Sequence, residues 1–179
     1  MNFELTKEEQ EFQKEVREFL DREVTDDVVE EVEVAFGEVP GPLSWQVIRK
    51  LGAKGWLGVS WPKKYGGHDG TVMQDFIVAE ELARHRGPTV LYGLRMAGPT
   101  LLLCGTEEQK IEYLPRITQG EIEFALGYTE PQAGSDLSAL DIRAVEDGDS
   151  YVLSGHKTFN TGCHFADYHW LAARTDPTA

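Results

Sequence analysis

Apolar residues recur at helical spacing near the start of the chain, at Phe12, Val16, Phe19 and Leu20. They follow a capping box in which Thr6 can accept a hydrogen bond from the Glu9 N–H. This pattern predicts a surface helix over residues 6–23. The next stretch, residues 24–41, is acidic and aperiodic and runs into Pro40-Gly41-Pro42, which predicts a loop.

Two further helices are indicated before residue 86. Ser44 is a candidate N-cap for a short helix that carries Trp45, Ile48 and Leu51 and ends at Gly52. Residues 56–70 are rich in Gly, Trp, Pro and Lys and predict a shaped loop. Residues 71–85 predict a strong helix. Its broad apolar face comprises Phe76, Ile77, Ala79, Glu80, Leu82 and Ala83.

Residues 89–103 are apolar around most of a helical circumference, which predicts a helix buried between others. Cys104 ends this run and is interpreted as a small buried hydrophobe. Thr106 and Gln109 form another capping box, and the helix that follows is expected to end near Pro115. The helical part therefore amounts to about five helices.

From Glu121 the apolar period changes to two. Alternation through residues 122–128 predicts a strand, and alternation on both sides of Asp147-Gly148-Asp149 predicts a β-hairpin. Residues 164–173 are a further strand candidate. The fold class is therefore α+β. An all-α domain over residues 1–120 is followed by part of an antiparallel β domain over residues 121–179.

Two polar segments of this second part carry candidate chemistry. Residues 128–136 read Tyr-Thr-Glu-Pro-Gln-Ala-Gly-Ser-Asp. Pro131 stiffens the loop, Gly134 permits a close backbone approach, and Ser135 offers a hydroxyl with a backbone N–H. Such a loop can hold a phosphate oxygen, although an ordinary turn after a strand explains the same residues. Residues 155–162, Gly-His-Lys-Thr-Phe-Asn-Thr-Gly, end a second strand-like run.

With these segments the chain resembles the acyl-CoA dehydrogenases, flavoenzymes that oxidise fatty-acyl and related thioesters. The family signature TEPxAGSD stands complete at residues 129–136, and the signature G-x-K-x-W-I-T appears at residues 155–161. In the second signature Phe159 replaces the usual Trp and Asn160 replaces Ile. The Gly-Trp-x-Gly run at residues 55–58 and the segment 61–67 also fit the family, so the resemblance covers the whole chain.

The resemblance implies FAD as cofactor and an acyl-CoA as substrate. The FAD-contacting residues would be Leu126, Tyr128, Thr129, Gly134, Ser135, Phe159, Asn160 and Thr161. Phe159 would pack beside the flavin ring, and Thr161 would donate toward its reactive edge. Acyl-chain or CoA contacts would come from Tyr92, Arg95, Met96, Gly98 and Ser135. Ordinary helix packing explains the apolar members of this set equally well, and Asn160 is consistent with a solvent-facing position.

The resemblance also implies an incomplete chain. Complete members are longer, with a C-terminal four-helix domain, and their catalytic glutamate usually lies in the part absent here. The sequence is therefore expected to be a fragment or truncated subunit, inactive alone, and no residue of it is assigned to catalysis. Partners would be an electron-transfer acceptor protein and the other chains of a homotetramer or mixed tetramer. The alternative is a non-catalytic binding subunit that completes a flavin site with a partner chain. Acyl class and dehydrogenase versus oxidase stay open.

Composition and charge limit the possible partners and the location of the protein. The 31 acidic against 17 basic residues give a formal charge of −14, which argues against nucleic acid as a partner. Cys104 and Cys163 have no metal-site spacing, and the start of the chain lacks a signal-peptide pattern. The longest apolar run is interrupted and too short to span a membrane. These features predict a cytoplasmic protein.

Clustered polar residues offer two other interpretations. Glu130 and Asp136 could form an acid–base pair. A local role is favoured, with Glu130 anchoring its loop and Asp136 accepting from nearby backbone N–H groups in an Asx turn. His164, Asp167 and His169 could suggest a metal site, but strand alternation places the two histidines on opposite faces, so no metal is predicted.

Overall fold

Helices form the first part of the chain in the computed structural model, which describes residues 4–34, 40–89 and 91–176. Within these residues the α-helices are Lys7–Glu23 (α1), Asp26–Val34 (α2), Pro42–Ala53 (α3), Val72–Arg84 (α4), Gly98–Cys104 (α5) and Glu107–Thr118 (α6). A short π-helix, Gly93–Ala97, runs directly into α5. These elements belong to the first of two compact units, Met1–Glu123, and the second is Phe124–Ala179.

Capping boxes begin α1 and α6 as the sequence predicts. Thr6 Oγ1 accepts from the Glu9 N–H at 3.3 Å, and the Glu9 carboxylate accepts from the Thr6 N–H at 2.8 Å. Thr106 and Gln109 repeat the arrangement at 3.3 and 2.9 Å. Each box satisfies two N–H groups that have no partner inside the helix, which is why sequence and structure agree at these helix starts.

Helix α2 occupies most of the stretch predicted to be a loop, so that prediction is wrong over residues 26–34. Its first turn carries Asp26 and Asp27, whose negative charges suit the positive end of the helix dipole. One residue, Val28, is buried, so the apolar stripe is too narrow to give a clear period. The part of the loop prediction that falls on residues 35–39 lies outside the described residues.

Helix α3 begins at Pro42 with Gly41 as its N-cap, so the prediction of Ser44 as N-cap is wrong. The cap function is supplied from α2 instead. The Glu31 carboxylate accepts from the backbone N–H groups of Leu43 at 3.1 Å and Ser44 at 2.7 Å. Burial alone would disfavour its ionisation, but these N–H donors outweigh that effect and lower the pKa of Glu31.

The apolar run around residues 89–103 is less buried than its composition predicts. The π-helix and α5 bury one face, through Gly93, Ala97, Gly98 and Leu101, whereas Leu103 is 84% exposed. Cys104 is also exposed, so its interpretation as a buried residue is wrong. Residue 90 lies outside the described residues. A helix that is apolar on all sides can bury any of its faces, and tertiary packing decides which face is buried.

Two other boundaries differ from prediction. Helix α6 continues through Pro115 to Thr118, where the Thr118 hydroxyl donates to the Pro115 carbonyl at 2.9 Å. On α4, the predicted apolar face includes Phe76, which is 56% exposed, while Ile77, Val78 and Leu82 are buried. Residues 56–70 form the predicted loop, and the one helical segment in it is a short 3₁₀ turn, Lys63–Tyr65.

The helical core joins α1, α2, α3 and α4 with the segment that follows α3. Its buried members include Val16, Leu20, Ile48, Leu51, Trp56 and Leu82. At the edge of this core the Arg17 guanidinium on α1 makes two hydrogen bonds to the Glu81 carboxylate on α4, at 2.6 and 3.0 Å. The Glu81 side chain is fully buried, whereas 40% of the Arg17 side chain is exposed. Hydrogen bonding to Arg17 lowers the pKa of Glu81.

The second unit contains four strands within the described residues, Phe124–Gly127 (β1), Arg143–Asp147 (β2), Ser150–Ser154 (β3) and Tyr168–Leu171 (β4). β2 and β3 form the predicted antiparallel hairpin, with Asp147 opposite Ser150 and Gly148 in a left-handed conformation. β1 pairs in parallel with β4, from Phe124 opposite Tyr168 to Gly127 opposite Leu171. The sequence pattern located both strands and did not predict that they pair.

Helix α4 also begins with a capping box, between Thr71 and Gln74. Thr71→Ala removes the hydroxyl that accepts from the Gln74 N–H, and we expect it to lower the free energy of unfolding by about 1 kcal/mol. Urea unfolding followed by circular dichroism measures this. Thr175→Ala, at an exposed position, is the matched control. Equal midpoints for the two variants would show that the box contributes nothing.

Candidate functional site

The loop that follows β1 closes on itself through two backbone hydrogen bonds. The Glu130 N–H donates to the Ala133 carbonyl at 2.8 Å, and the Ala133 N–H donates back to the Glu130 carbonyl at 3.1 Å. Pro131 and Gln132 form the exposed tip between them. Pro131 suits this position because its ring fixes φ and its missing N–H is not needed at a turn.

The Glu130 carboxylate is buried beneath this loop and receives four donors. It accepts from the backbone N–H groups of Asp141 at 2.6 Å and Ile142 at 3.0 Å, from the Gln132 amide at 2.7 Å and from the Lys157 ammonium at 2.8 Å. Burial opposes ionisation, but these donors outweigh it and lower the pKa of Glu130 to about 2. A carboxylate that is ionised at neutral pH and holds four hydrogen-bond donors anchors its loop and is not suited to act as a general acid, in agreement with the predicted local role.

Hydrogen bonds bring the two signature segments side by side. Lys157 Nζ donates to the Tyr128 carbonyl at 3.0 Å. The Thr158 N–H donates to the Thr129 carbonyl at 2.9 Å, and the Leu126 N–H donates to the Thr161 carbonyl at 3.1 Å. Residues 126–129 and residues 158–161 therefore lie in direct backbone contact within the second unit.

Residues 155–160 are irregular, so the prediction of a strand-like run over them is wrong after Ser154, where β3 ends. Phe159 and Asn160 both have positive φ, 66° and 29°. Asparagine tolerates the left-handed region better than a β-branched residue, which gives a physical reason for Asn at this position. Asn160 Nδ2 donates to the Lys157 carbonyl at 3.3 Å. Phe159 is 87% exposed, an unusual position for a large apolar ring.

Two polar atoms of this turn are buried without a hydrogen-bond partner among the described residues, Thr158 Oγ1 and Asn160 Oδ1. Such groups cost free energy unless a further group satisfies them. In the first segment, a Cβ built on Gly134 meets no atom within 4 Å, and Ser135 is exposed. One segment therefore has an exposed aromatic ring beside unpaired buried polar atoms, and the other has open backbone.

Asp136 does not form the predicted Asx turn. Its side chain makes no hydrogen bond to the N-terminal N–H groups of the short helix that follows, and it accepts instead from the Ser138 hydroxyl. Leu126, Tyr128, Thr129 and Thr161 are half-buried. Residues 126–129, at the start of the first segment, thus lie against residues 158–161 of the second segment. Gly134 and Ser135 lie farther along the first segment, on the exposed loop after Ala133.

Four of the predicted acyl-binding residues, Tyr92, Arg95, Met96 and Gly98, lie in the helical unit, and Ser135 lies in the second unit. A cavity of about 500 Å³ is lined by Arg95, together with Trp56, Trp61, Val78, Leu91 and Pro99. Arg95 is exposed, which avoids the cost of a buried guanidinium. Tyr92, Met96 and Gly98 do not line this cavity. Gly98 is buried, and a Cβ there would collide with the Trp61 ring.

Lys157 and Arg174 make contacts in this unit that the sequence did not predict. Lys157 links the signature segments, as described above. The Arg174 side chain donates to the carbonyls of Leu140 and Ser138, and its backbone pairs with Ile142 and Ala144. A signal for Lys157 existed, because it is the one lysine after residue 120.

Comparison with family models matches both units. The model of the acyl-CoA dehydrogenase N-terminal domain matches residues 6–121, and that of the acyl-CoA dehydrogenase middle domain matches residues 125–179. The chain belongs to the acyl-CoA dehydrogenase family, as its two signatures indicate. Within the described residues no helix is long and apolar enough to cross a membrane.

The chain aligns along nearly its whole length with two curated relatives and spans a little under half the length of each. Acyl-CoA dehydrogenase FadE29 of Mycobacterium tuberculosis is 44% identical over 100% of this chain and 46% of its own, and FadE26 of the same organism is 37% identical over 99% and 44%. Among solved structures, the Tcur3481-Tcur3483 steroid ACAD has a TM-score of 0.86 at 42% identity, over 100% of this chain and 46% of its own. The ChsE4-ChsE5 complex from Mycobacterium tuberculosis has a TM-score of 0.88 at 35% identity, over 99% and 45%.

Proposed function

We propose that these residues form the helical part and the flavin-facing part of an FAD-dependent enzyme that oxidises an acyl-CoA to an enoyl-CoA. The observation that carries the proposal is the direct contact of the two signature segments through the Thr158–Thr129 and Leu126–Thr161 hydrogen bonds. In a member of this family, that contact supports one shared binding surface rather than two unrelated turns.

The described residues fit a flavin at this surface. Phe159 presents an exposed apolar ring that can pack beside an aromatic cofactor. Thr158 Oγ1 and Asn160 Oδ1 need partners, and a flavin offers both donors and acceptors along its polar edge. The open space at Gly134 permits close approach of a phosphate to the backbone N–H groups of its loop. Two of these features, the orphaned polar atoms and the exposed ring, cost free energy without a ligand.

The roles of the individual residues follow from this fit. Bound FAD supplies a two-electron acceptor for the hydride that leaves the acyl β-carbon. Thr161 and the backbone groups of Tyr128 and Thr129 would orient the ring and stabilise the negative charge that it gains. Gly134 and Ser135 would hold the pyrophosphate. Tyr92, Arg95, Met96 and Gly98 would contact the acyl-CoA from the helical unit. Electrons would then pass to a separate acceptor protein.

A second candidate is a subunit of a mixed oligomer that completes its flavin site with a partner chain. Two similar structures favour it, since the Tcur3481-Tcur3483 steroid ACAD and the ChsE4-ChsE5 complex each have two components. The first of these also favours an acyl group of steroid size. In this candidate the residues 126–161 bind the cofactor, and the chemistry depends on the partner.

The test expresses the complete reading frame that contains these residues, alone and together with the neighbouring frames. We expect a yellow protein whose FAD absorption is bleached by an acyl-CoA without oxygen, with steroid-bearing and short linear acyl-CoA compared. Phe159→Ala is expected to raise the FAD dissociation constant about tenfold because the ring contact is lost. Tyr151→Ala, which removes an exposed aromatic ring from the hairpin, is the matched control.

Each outcome has a separate meaning. Flavin bound by this protein alone supports the first candidate, and flavin bound only after co-expression supports the second. A folded, colourless protein under both conditions contradicts both. Equal dissociation constants for the Phe159 and Tyr151 variants would remove Phe159 from the cofactor surface.

A further inference from the structure

The Glu130–Lys157 pair is the most buried ion pair among the described residues of the second unit. The nitrogen–oxygen distance is 2.8 Å, and the two side chains are 2% and 5% exposed. A buried pair of this kind is a poor device for stability, because well-packed apolar residues in its place are often as stable. Its presence therefore needs an explanation other than stability, and its hydrogen bonds offer one.

Three separate stretches of the chain meet at this pair. Lys157 belongs to the second signature segment, and its ammonium donates to the Tyr128 carbonyl of the first segment at 3.0 Å. Glu130 belongs to the first signature segment, and its carboxylate accepts hydrogen bonds from the N–H groups of Asp141 and Ile142, just before β2. One charged contact thus fixes both signature segments to each other and to the hairpin.

The pair also anchors the strained turn. Asn160, in the left-handed region beside Phe159, is held by its side-chain bond to the Lys157 carbonyl. Strained backbone persists only where neighbouring contacts determine it. The Lys157 backbone carbonyl supplies such a contact at the start of this turn, and the Lys157 ammonium ties the same residue to Glu130. Movement of Lys157 would displace the residues that the proposed cofactor surface uses.

We propose that Glu130 and Lys157 are positioning residues that hold the two cofactor-facing segments at a fixed spacing, without touching the flavin themselves. The inference rests on the proposed function. Loss of either partner leaves a buried charge and frees the Tyr128 carbonyl and the turn at Phe159 to shift. A preorganised site loses affinity when its supporting contacts are removed, even when every contacting residue is present.

The experiment compares Lys157→Met, Glu130→Gln and the double variant in the complete protein that contains these residues. The FAD dissociation constant is measured by fluorescence titration of the apoprotein, the bound-flavin absorption spectrum is recorded, and folding of the apoprotein is checked by circular dichroism. We expect each single variant to raise the dissociation constant about 10- to 100-fold, the size of effect that follows loss of the residues that orient metal ligands. The double variant is expected to have an FAD dissociation constant no higher than that of the weaker-binding single variant, because the two residues act as a unit.

Glu146→Gln is the matched control, because Glu146 is an exposed carboxylate of the same unit that accepts a hydrogen bond from the Tyr151 hydroxyl. It is expected to keep the wild-type dissociation constant. If the single variants fail to fold, Lys157→Arg is measured, since it keeps the charge but changes the donor geometry. It is expected to fold, bind FAD more weakly and shift the flavin spectrum.

Wild-type affinity and spectrum in the folded single variants, or in Lys157→Arg, would overturn the inference. Effects that multiply in the double variant would also overturn it, because the two residues would then act independently. A wild-type protein that binds no FAD, alone or co-expressed, overturns the proposed function itself, and the two failures are thereby distinguished.

Discussion

Arg17→Met is expected to lower the free energy of unfolding by about 2–3 kcal/mol, because it leaves the buried Glu81 carboxylate without its guanidinium partner. The value lies between those of surface and buried pairs, since Arg17 is 40% exposed and Glu81 fully buried. Lys14→Met is the control, because Lys14 pairs with Glu18 at an exposed position. Urea unfolding at neutral pH measures both, and equal losses would contradict the expectation.

The same variant has an expected pH dependence. Arg17 lowers the pKa of Glu81 in the folded protein, so the stabilisation from this pair is complete above the ordinary glutamate pKa of about 4.3. It is lost as the pH falls through the lower folded value. The difference between wild type and Arg17→Met should therefore be largest at neutral pH and shrink in acid. A difference that grows in acid would contradict the assignment.

Ile48→Ala is expected to cost about 2–5 kcal/mol, the usual range for deleting a fully buried aliphatic side chain and leaving a cavity. Ile48 lies in α3 at the centre of the helical core and is 0% exposed. Ile111→Ala deletes the same atoms at a position that is 64% exposed, and should change stability by less than about 0.5 kcal/mol. Thermal and urea unfolding of the two variants test this, and similar losses would mean that burial does not determine the cost.

The predictions with the clearest local basis are the helices that combine a threonine cap with a regular apolar stripe. α1, α4 and α6 have both signals, and they were located to within a few residues except at the end of α6. α2 has neither signal, because acidic residues interrupt its valines and only Val28 among them is fully buried, with Val32 partly buried against the core. Its stability depends on contacts with other parts of the chain, which local pattern does not contain.

The candidate site could be predicted in part. Turn chemistry and the family signatures identified the two segments and the anchoring role of Glu130. The sequence did not show that Lys157 joins them, because that contact links residues 27 positions apart. Nor did it show the left-handed backbone at Phe159 and Asn160, since neither residue type requires it.

The parallel pairing of β1 with β4 has a consequence for how the chain folds. The paired residues Phe124 and Tyr168 are 44 positions apart, so β1 gains its neighbour only after a long loop has closed. The first unit also closes long loops, since Arg17 and Glu81 are 64 positions apart, but all of its contacts join residues that are synthesised before β4. During synthesis the helical unit would therefore acquire its structure early, while β1 stays unpaired until the ribosome has released β4. In that interval its free edge is exposed to chaperones and to other unfinished chains.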